Sequence, residues 1–547
     1  MGIEGPLVFQ TFFTTTFTTI AMHIVKTALA VALAFAGAMG RATASPYAAA
    51  TPPIAQQILD KLYLAAGQFG VKKPSLEMSK ENKKVAAYYP ARNTIVLDEK
   101  TYQLCRSMGK DSSKALAFVL GHELSHAFQK EVSKTKSGTN FLSYDQTYKV
   151  DTRTEKTADI NGVFTAFLAG YRLSDVVPTL LPKLYDAYGL TGRTLRGYPS
   201  LEERSQSAKE VLDITDQLID LYETSSYLLA AGYYDLAATN YEYILQYYQG
   251  REMFNNLGVM YLFQALEYYQ PQTDRFVFPI EVDAATQLKK IDKARGPQEL
   301  SLQEKLVRMQ LLNKAAKHFM QAILLDENYL TAKLNYVCAL ALQQKQQEAL
   351  AYFQKKKLQK TASKSKAEAD KFKLMEAILR ALSNDKRNAE AGFYHLQISK
   401  SQPVAVAARY NLDVVQGRIA ITLPEHEFQF PAQFTTLMKG MKMGRMSQLE
   451  PLVLNEKGDL VRHLTEAGTE TFSFGNNRGN VLTIIRFKNK MAGDIDLLEL
   501  TESLDRSFFY NLVSTNSGYF LTSDKDGIII KVTNDGKVEE MAKVIKH

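Results

Sequence analysis

Apolar residues follow three successive rhythms along the chain. Between residues 55 and 215 helical spacing dominates. It is broken by one extended run, Asn93-Thr94-Ile95-Val96-Leu97, whose β-branched content predicts a strand. Leu116, Val119, Leu120 and Leu124 recur three and four apart and predict a helix with one apolar face, capped by Asp111 or Ser112. A further helix is expected from about Glu155 to near Gly170. Residues 220–400 read as almost wholly helical. From 418 to 547 alternating apolar runs are separated by the turn signals Gly475-Asn476-Asn477, Asp526-Gly527 and Asp535-Gly536. That last stretch predicts a small β-rich domain.

The helical middle has an internal period. Ala315 and Phe319 stand four apart, and Ala349 and Phe353 repeat the pair 34 residues later. Ala237 and Tyr241 show the same spacing, and Phe254-Asn255-Asn256-Leu257-Gly258-Val259-Met260-Tyr261 sets an aromatic before Leu-Gly and a Tyr after it. The pattern resembles tetratricopeptide (TPR) repeats, in which a small Ala lets two helices approach and an aromatic fills the gap beside it. Pro271, Pro279 and Pro297 interrupt the phase and mark residues 271–301 as an insertion. The tyrosines from Tyr222 to Tyr269 could line a concave groove or serve as repeat packing.

Composition narrows the class. With 46% hydrophobic and 23% charged residues in 547, a mainly disordered chain is excluded, and 2 Cys exclude a disulfide scaffold. A net charge of +8 is mild at this length; nucleic acid is not expected as a partner. Met22 and Lys26, the apolar run Ala28–Ala38 and the small residues Ala42-Thr43-Ala44 read as a secretory signal. Residues 1–44 are thus expected to be an N-terminal extension and signal peptide, with the mature chain starting at Ser45. The apolar core is short of the roughly 20 residues that span a bilayer. The expectation is a periplasmic or secreted protein that is not membrane-spanning after cleavage.

Candidate chemistry lies on the first helix. His122-Glu123-Leu124-Ser125-His126 is an H-E-x-x-H motif. Residues four apart share a helical face, so both imidazoles can reach one metal, and zinc suits two His ligands with an open position. Glu123 would act as general base toward a water whose pKa zinc lowers to about 7. A third ligand follows by elimination. Gln129 and Val132 stand where the extended three-His motif needs Gly and His, and the next His is His318, inside the helical region. Glu155 is the best carboxylate, with Asp159 four residues on to hold a ligand imidazole. Thr152-x-x-Glu155 also reads as a capping box, which would confine Glu155 to its own helix start.

H-E-x-x-H followed by Glu155-Lys156-Thr157-Ala158-Asp159 resembles the gluzincin peptidases of the CAAX prenyl protease and HtpX family. The resemblance covers roughly residues 75–210, and with the signal and repeats it is similar to the soluble periplasmic, BepA-like type. It implies a zincin-like peptidase domain over 45–215, which with the TPR-type helical repeats over 220–400 and the small β-rich domain of unknown role over 418–547 makes an α+β chain. It implies one zinc per chain, held by His122, His126 and Glu155. The family's His-Pro-x4-Arg signature appears here as Tyr198-Pro199 and Arg204. Tyr198 could donate to the oxyanion, ligate the open zinc position, or be a buried aromatic. Arg204 is read as a structural contact or one behind the ligands rather than a catalytic group. The resemblance also suggests that Asn93, Ile95 and Leu97 belong to an edge strand that pairs with substrate backbone.

Two functions from different classes fit. One is an exported zinc metalloendopeptidase hydrolysing unfolded or misassembled envelope proteins, with the TPR region recruiting polypeptide clients or protein partners. The other is a TPR chaperone or assembly scaffold whose zinc site is latent or structural.

Overall fold

In the computed structural model of the protein, the described residues are 51–129, 152–192, 199–282, 285–287, 299–355, 366–418, 449–466, 469–488, 513–515, 518–523, 527–533 and 537–547. The N-terminal part combines helices α1 (Pro53–Ala66), α2 (Glu99–Arg106), α3 (Ser112–Phe128), α4 (Thr152–Leu168), α5 (Val177–Ala187) and α6 (Leu201–Ala230) with a small sheet. Its strands are β1 (Ser75–Ser79), β2 (Ala86–Tyr89) and β3 (Thr94–Asp98).

β3 is the middle strand. It runs parallel to β1, with Ser75 opposite Thr94, and antiparallel to β2, with Ala86 opposite Leu97. This corrects the expectation that Asn93, Ile95 and Leu97 form a substrate-pairing edge. Both sides of β3 are hydrogen-bonded, and Ile95 and Leu97 are buried. Asn93 sits in the turn before the strand with a left-handed backbone, φ 48°. Its Nδ2 donates to the carbonyls of Lys72 and Lys73, and its Oδ1 accepts from Tyr88 Oη. The strand beside α3 is β2, and among the described residues no strand pairs with its outer edge.

The spacing predicts one apolar face for α3, but every residue from Ala115 to Ala127 is buried. Ala117, Phe118 and Ala127 carry apolar character around the remaining sides, which makes α3 a core helix packed on α1, α4 and β2. Its two His and one Glu therefore have no water to solvate them and need built partners. α3 meets α4 at Gly121 and Gly162. A Cβ on Gly162 would lie 2.8 Å from the main chain of Gly121 and His122, so this close crossing requires glycine. The crossing brings the first turns of α4 against the His-bearing end of α3. Helix α6 is 30 residues long and starts with a capping box between Ser200 and Glu203, which fixes the position of Arg204 one residue on.

The middle of the chain is a two-layered helical array. α7 (Tyr234–Ile244) leads from α6 into it. α8 (Arg251–Leu266), α10 (Leu330–Leu342), α12 (Lys366–Leu382) and α14 (Gln402–Val415) are successive neighbours in the inner layer. α9 (Leu302–Leu325), α11 (Gln346–Lys355) and α13 (Lys386–Leu396) pack behind them. Ala315, Phe319, Ala349 and Phe353 are all buried, and a Cβ on Gly258 would sit 2.6 Å from the Phe319 ring. Small residues thus make room for aromatics between layers. Tyr234, Tyr241, Tyr248 and Tyr261 are buried as well, and act as packing.

The last part of the chain forms strands β6 (Leu452–Val453), β7 (Leu460–Glu466), β8 (Thr469–Asn476), β9 (Gly479–Lys488), β10 (Val513–Thr515), β11 (Gly518–Ser523), β12 (Ile528–Thr533) and β13 (Val538–Lys546). They belong to one sheet that also takes in β4 (Ile280–Val282) and β5 (Ala285–Gln287), from the stretch that the sequence marks as an interruption. The sheet is anchored on α6: buried Arg486 lies between Glu223, at 2.8 Å, and Glu470, and Tyr227 donates to Glu540. Among the described residues no helix is long and apolar enough to cross a membrane.

Candidate metal centre and active site

Three side chains converge at the crossing of α3 and α4. His122 Nε2 and His126 Nε2 are 3.0 Å apart, and Glu155 lies 3.2 Å from the first and 3.5 Å from the second. Both imidazoles are fully buried. Their other nitrogens are held: His122 Nδ1 faces Asp159 Oδ1 at 2.7 Å, and His126 Nδ1 faces Gln129 Oε1 at 3.0 Å. Gln129 in turn donates to the carbonyl of Thr154, tying the end of α3 to the start of α4. Asp159 is gripped at both oxygens by buried Arg204. Arg204 thus braces Asp159, which in turn holds His122.

These contacts decide the charges. Burial opposes a charge on His122, yet Asp159 and Glu155 outweigh it and raise its pKa to about 10. Burial would also push Glu155 up, but hydrogen bonds from His122 and His126 hold it at about 2. Asp159, despite its own burial, is kept well below the carboxylate range by Arg204 and His122. Glu123 goes the other way: burial raises its pKa against the pull of both imidazoles and the Tyr88 main-chain N–H. That N–H also ties Glu123 to β2.

The donor set fits a metal. Asp159 and Gln129 engage the two Nδ1 atoms, so both Nε2 atoms face the Glu155 carboxylate, and a metal ion between them would replace the protons that Nε2 otherwise donates; ligand atoms of all three residues lie within 4.8 Å of one another. A tetrahedral ion with bonds of about 2.0–2.1 Å holds its ligand atoms about 3.3 Å apart. The two Nε2 atoms stand 3.0 Å apart, and Glu155 turns one oxygen to each, Oε2 at 3.2 Å from His122 and Oε1 at 3.5 Å from His126, all near that value. Residues 50–181 match peptidase family M48. No curated protein matches the chain. The match supports a metallopeptidase domain, M48 peptidases are zinc-dependent, and His122, Glu123, His126, Glu155 and Asp159 all fall within the matched M48 stretch.

The M48 stretch ends before Arg204, which the structure nonetheless brings to Asp159. Tyr198 lies outside the described residues. Asn93, Ile95 and Leu97 stay away from the cluster, in the turn and the middle strand. Three features went unread in the sequence: Gln129 as the partner of His126, the Gly121–Gly162 crossing, and the Tyr88 main chain at Glu123. A glycine inside an otherwise apolar helix, directly before the first His, was the available signal for the crossing. Asp159→Asn should weaken zinc binding about 10–100-fold, because the amide orients His122 without stabilising its charge and leaves Arg204 facing a neutral group. Competition against a chromophoric chelator measures this, and an unchanged affinity would refute the role of Asp159.

Proposed function

We propose that this chain is an exported zinc metalloendopeptidase of the gluzincin type, with His122, His126 and Glu155 as its protein ligands. The convergence of those three side chains beside buried Glu123 carries the reading. Zinc, when bound, supplies the Lewis acidity that activates water at neutral pH and offsets charge on the scissile carbonyl oxygen. Glu123 takes a proton from the attacking water as a new C–O bond forms at the peptide carbon. It then passes that proton to the amide nitrogen as the C–N bond breaks, leaving a carboxylic acid and an amine. A carboxyl whose pKa is raised by burial suits both halves of that transfer. Asp159 and Gln129 hold the two imidazoles in the tautomer that turns Nε2 toward Glu155.

The outer edge of β2 is the better candidate for aligning an extended substrate, since Tyr88 in that strand bonds Glu123. Pairing through main chain tolerates many sequences. This favours unfolded or misassembled envelope polypeptides as substrates, with the helical array, read as TPR-type, recruiting them. The test is cleavage of reduced, carboxymethylated lactalbumin by residues 45–547. Cleavage should stop on chelation and return with zinc. Absence of cleavage by the zinc-loaded chain would sink the peptidase reading. A second reading, a chaperone or assembly scaffold with a latent or structural zinc site, draws support from the complete burial of His122, Glu123 and His126. On that reading the zinc-loaded chain binds the same polypeptide and leaves it intact.

A further inference from the structure

Residues Phe276–Val282 lie against the inner layer of the helical array, turning at Pro279, where the Ile280 N–H donates to the Phe278 carbonyl at 3.0 Å, and entering β4 at Ile280. Asn411 of α14 grips Val277 at both main-chain groups: its Oδ1 accepts from the Val277 N–H at 2.8 Å and its Nδ2 donates to the Val277 carbonyl at 3.0 Å. Four residues on, Asn335 of α10 holds Glu281 in the same way, accepting from its N–H at 2.8 Å and donating to its carbonyl. Asn255 of α8 donates to that carbonyl too, at 3.1 Å, and accepts from Asn335 at 2.8 Å. All three asparagines are fully buried.

The spacing has a physical reason. Pro279, midway between the gripped residues, has no N–H to offer, and with the tight turn across it the main chains of Val277 and Glu281 both meet the helices. Phe276, Phe278 and Ile280 alternate with the gripped residues and are buried. The Glu281 carboxylate pairs with Lys371 of α12 and lies 3.4 Å from the Thr331 hydroxyl of α10. Every grip therefore comes from an inner-layer helix. The paired amide clamps read main chain, which any sequence offers. The apolar sites and Lys371 read side chains.

We propose that this inner face is a binding groove for a polypeptide segment, occupied in the resting chain by residues 276–282. A client segment with alternating large apolar residues followed by an acid displaces that stand-in. The inference is independent of the peptidase reading, because the groove can bind with or without hydrolysis. A tethered segment competes at an effective concentration in the mM range, so client binding to the resting chain is weak. The same segment carries β4, so its displacement also frees one end of the C-terminal sheet.

The test uses the full chain carrying Glu123→Gln, so that no probe is cut. A fluorescein-labelled peptide of residues 274–283 is titrated by anisotropy. Phe276→Ser/Phe278→Ser/Ile280→Ser, which weakens the internal occupant, should tighten peptide binding at least tenfold. Adding Asn335→Ala and Asn411→Ala to that variant should reverse the gain. A helical triple variant with no gain in binding overturns the proposal. If the triple variant loses its helical signal, amide exchange in the otherwise unaltered chain decides. Val277 and Glu281 amides that exchange faster than the core amides of α10 support a displaceable segment, and protection equal to α10 overturns it.

Discussion

Glu123→Gln should lower kcat by about 10²–10⁴-fold, the contribution of a well-placed general acid–base group, while one zinc per chain remains bound. The substitution keeps shape and volume in a site with no room to spare, since Glu123 is fully buried on a core helix. Its carbonyl oxygen still accepts from the Tyr88 N–H. What disappears is the ability to take a proton from water and return it to the leaving amine. His122, His126 and Glu155 do not depend on Glu123 for their orientation, because Asp159, Gln129 and the Gly121–Gly162 crossing set it. Zinc content and turnover therefore separate. A variant that retains zinc and cleaves at the wild-type rate removes Glu123 from the mechanism. A variant that loses zinc points to Glu123 supporting the ligands, a role the geometry does not give it.

What could be read from sequence follows from how local each feature is. The pairs His122/His126 and Glu155/Asp159 each lie four apart on one helix, so spacing alone puts each pair on one face. Joining the pairs needed only the absence of a nearby third His. Strand order is different. The run from Asn93 looks the same in sequence whether it is an edge or a centre, and only β1 and β2 pairing on either side settles it. The apolar face of α3 was visible, but its burial all round depends on α1, α4 and β2 arriving from elsewhere in the chain. Residues 271–301 broke the helical period and looked like a mere interruption. Their partners, Asn335 and Asn411, stand 54 and 134 residues from the main chain they grip. Buried asparagines carry no periodic signal, so such a clamp becomes visible only in three dimensions.

Glu155→Ala should abolish stoichiometric zinc binding at micromolar free zinc, and here two roles for one carboxylate give opposite results. If Glu155 served only the start of α4, its loss would cost about 1 kcal/mol of helix stability and leave zinc affinity intact. The geometry instead points its carboxylate at both imidazoles, at 3.2 and 3.5 Å. Without it two neutral His remain, and His122 also loses one of the two anions that raise its pKa. Ligand binding links to unfolding: a wild-type chain at a thousandfold excess of free zinc over Kd gains about 4 kcal/mol, and a Kd raised a thousandfold leaves about 0.4 kcal/mol. The zinc-dependent rise in Tm should therefore all but vanish in the variant, while the zinc-free Tm changes little. Elemental analysis and thermal melts with and without zinc read both quantities. A variant that keeps the full zinc-dependent rise would make Glu155 a helix cap and leave the two His in need of another third ligand.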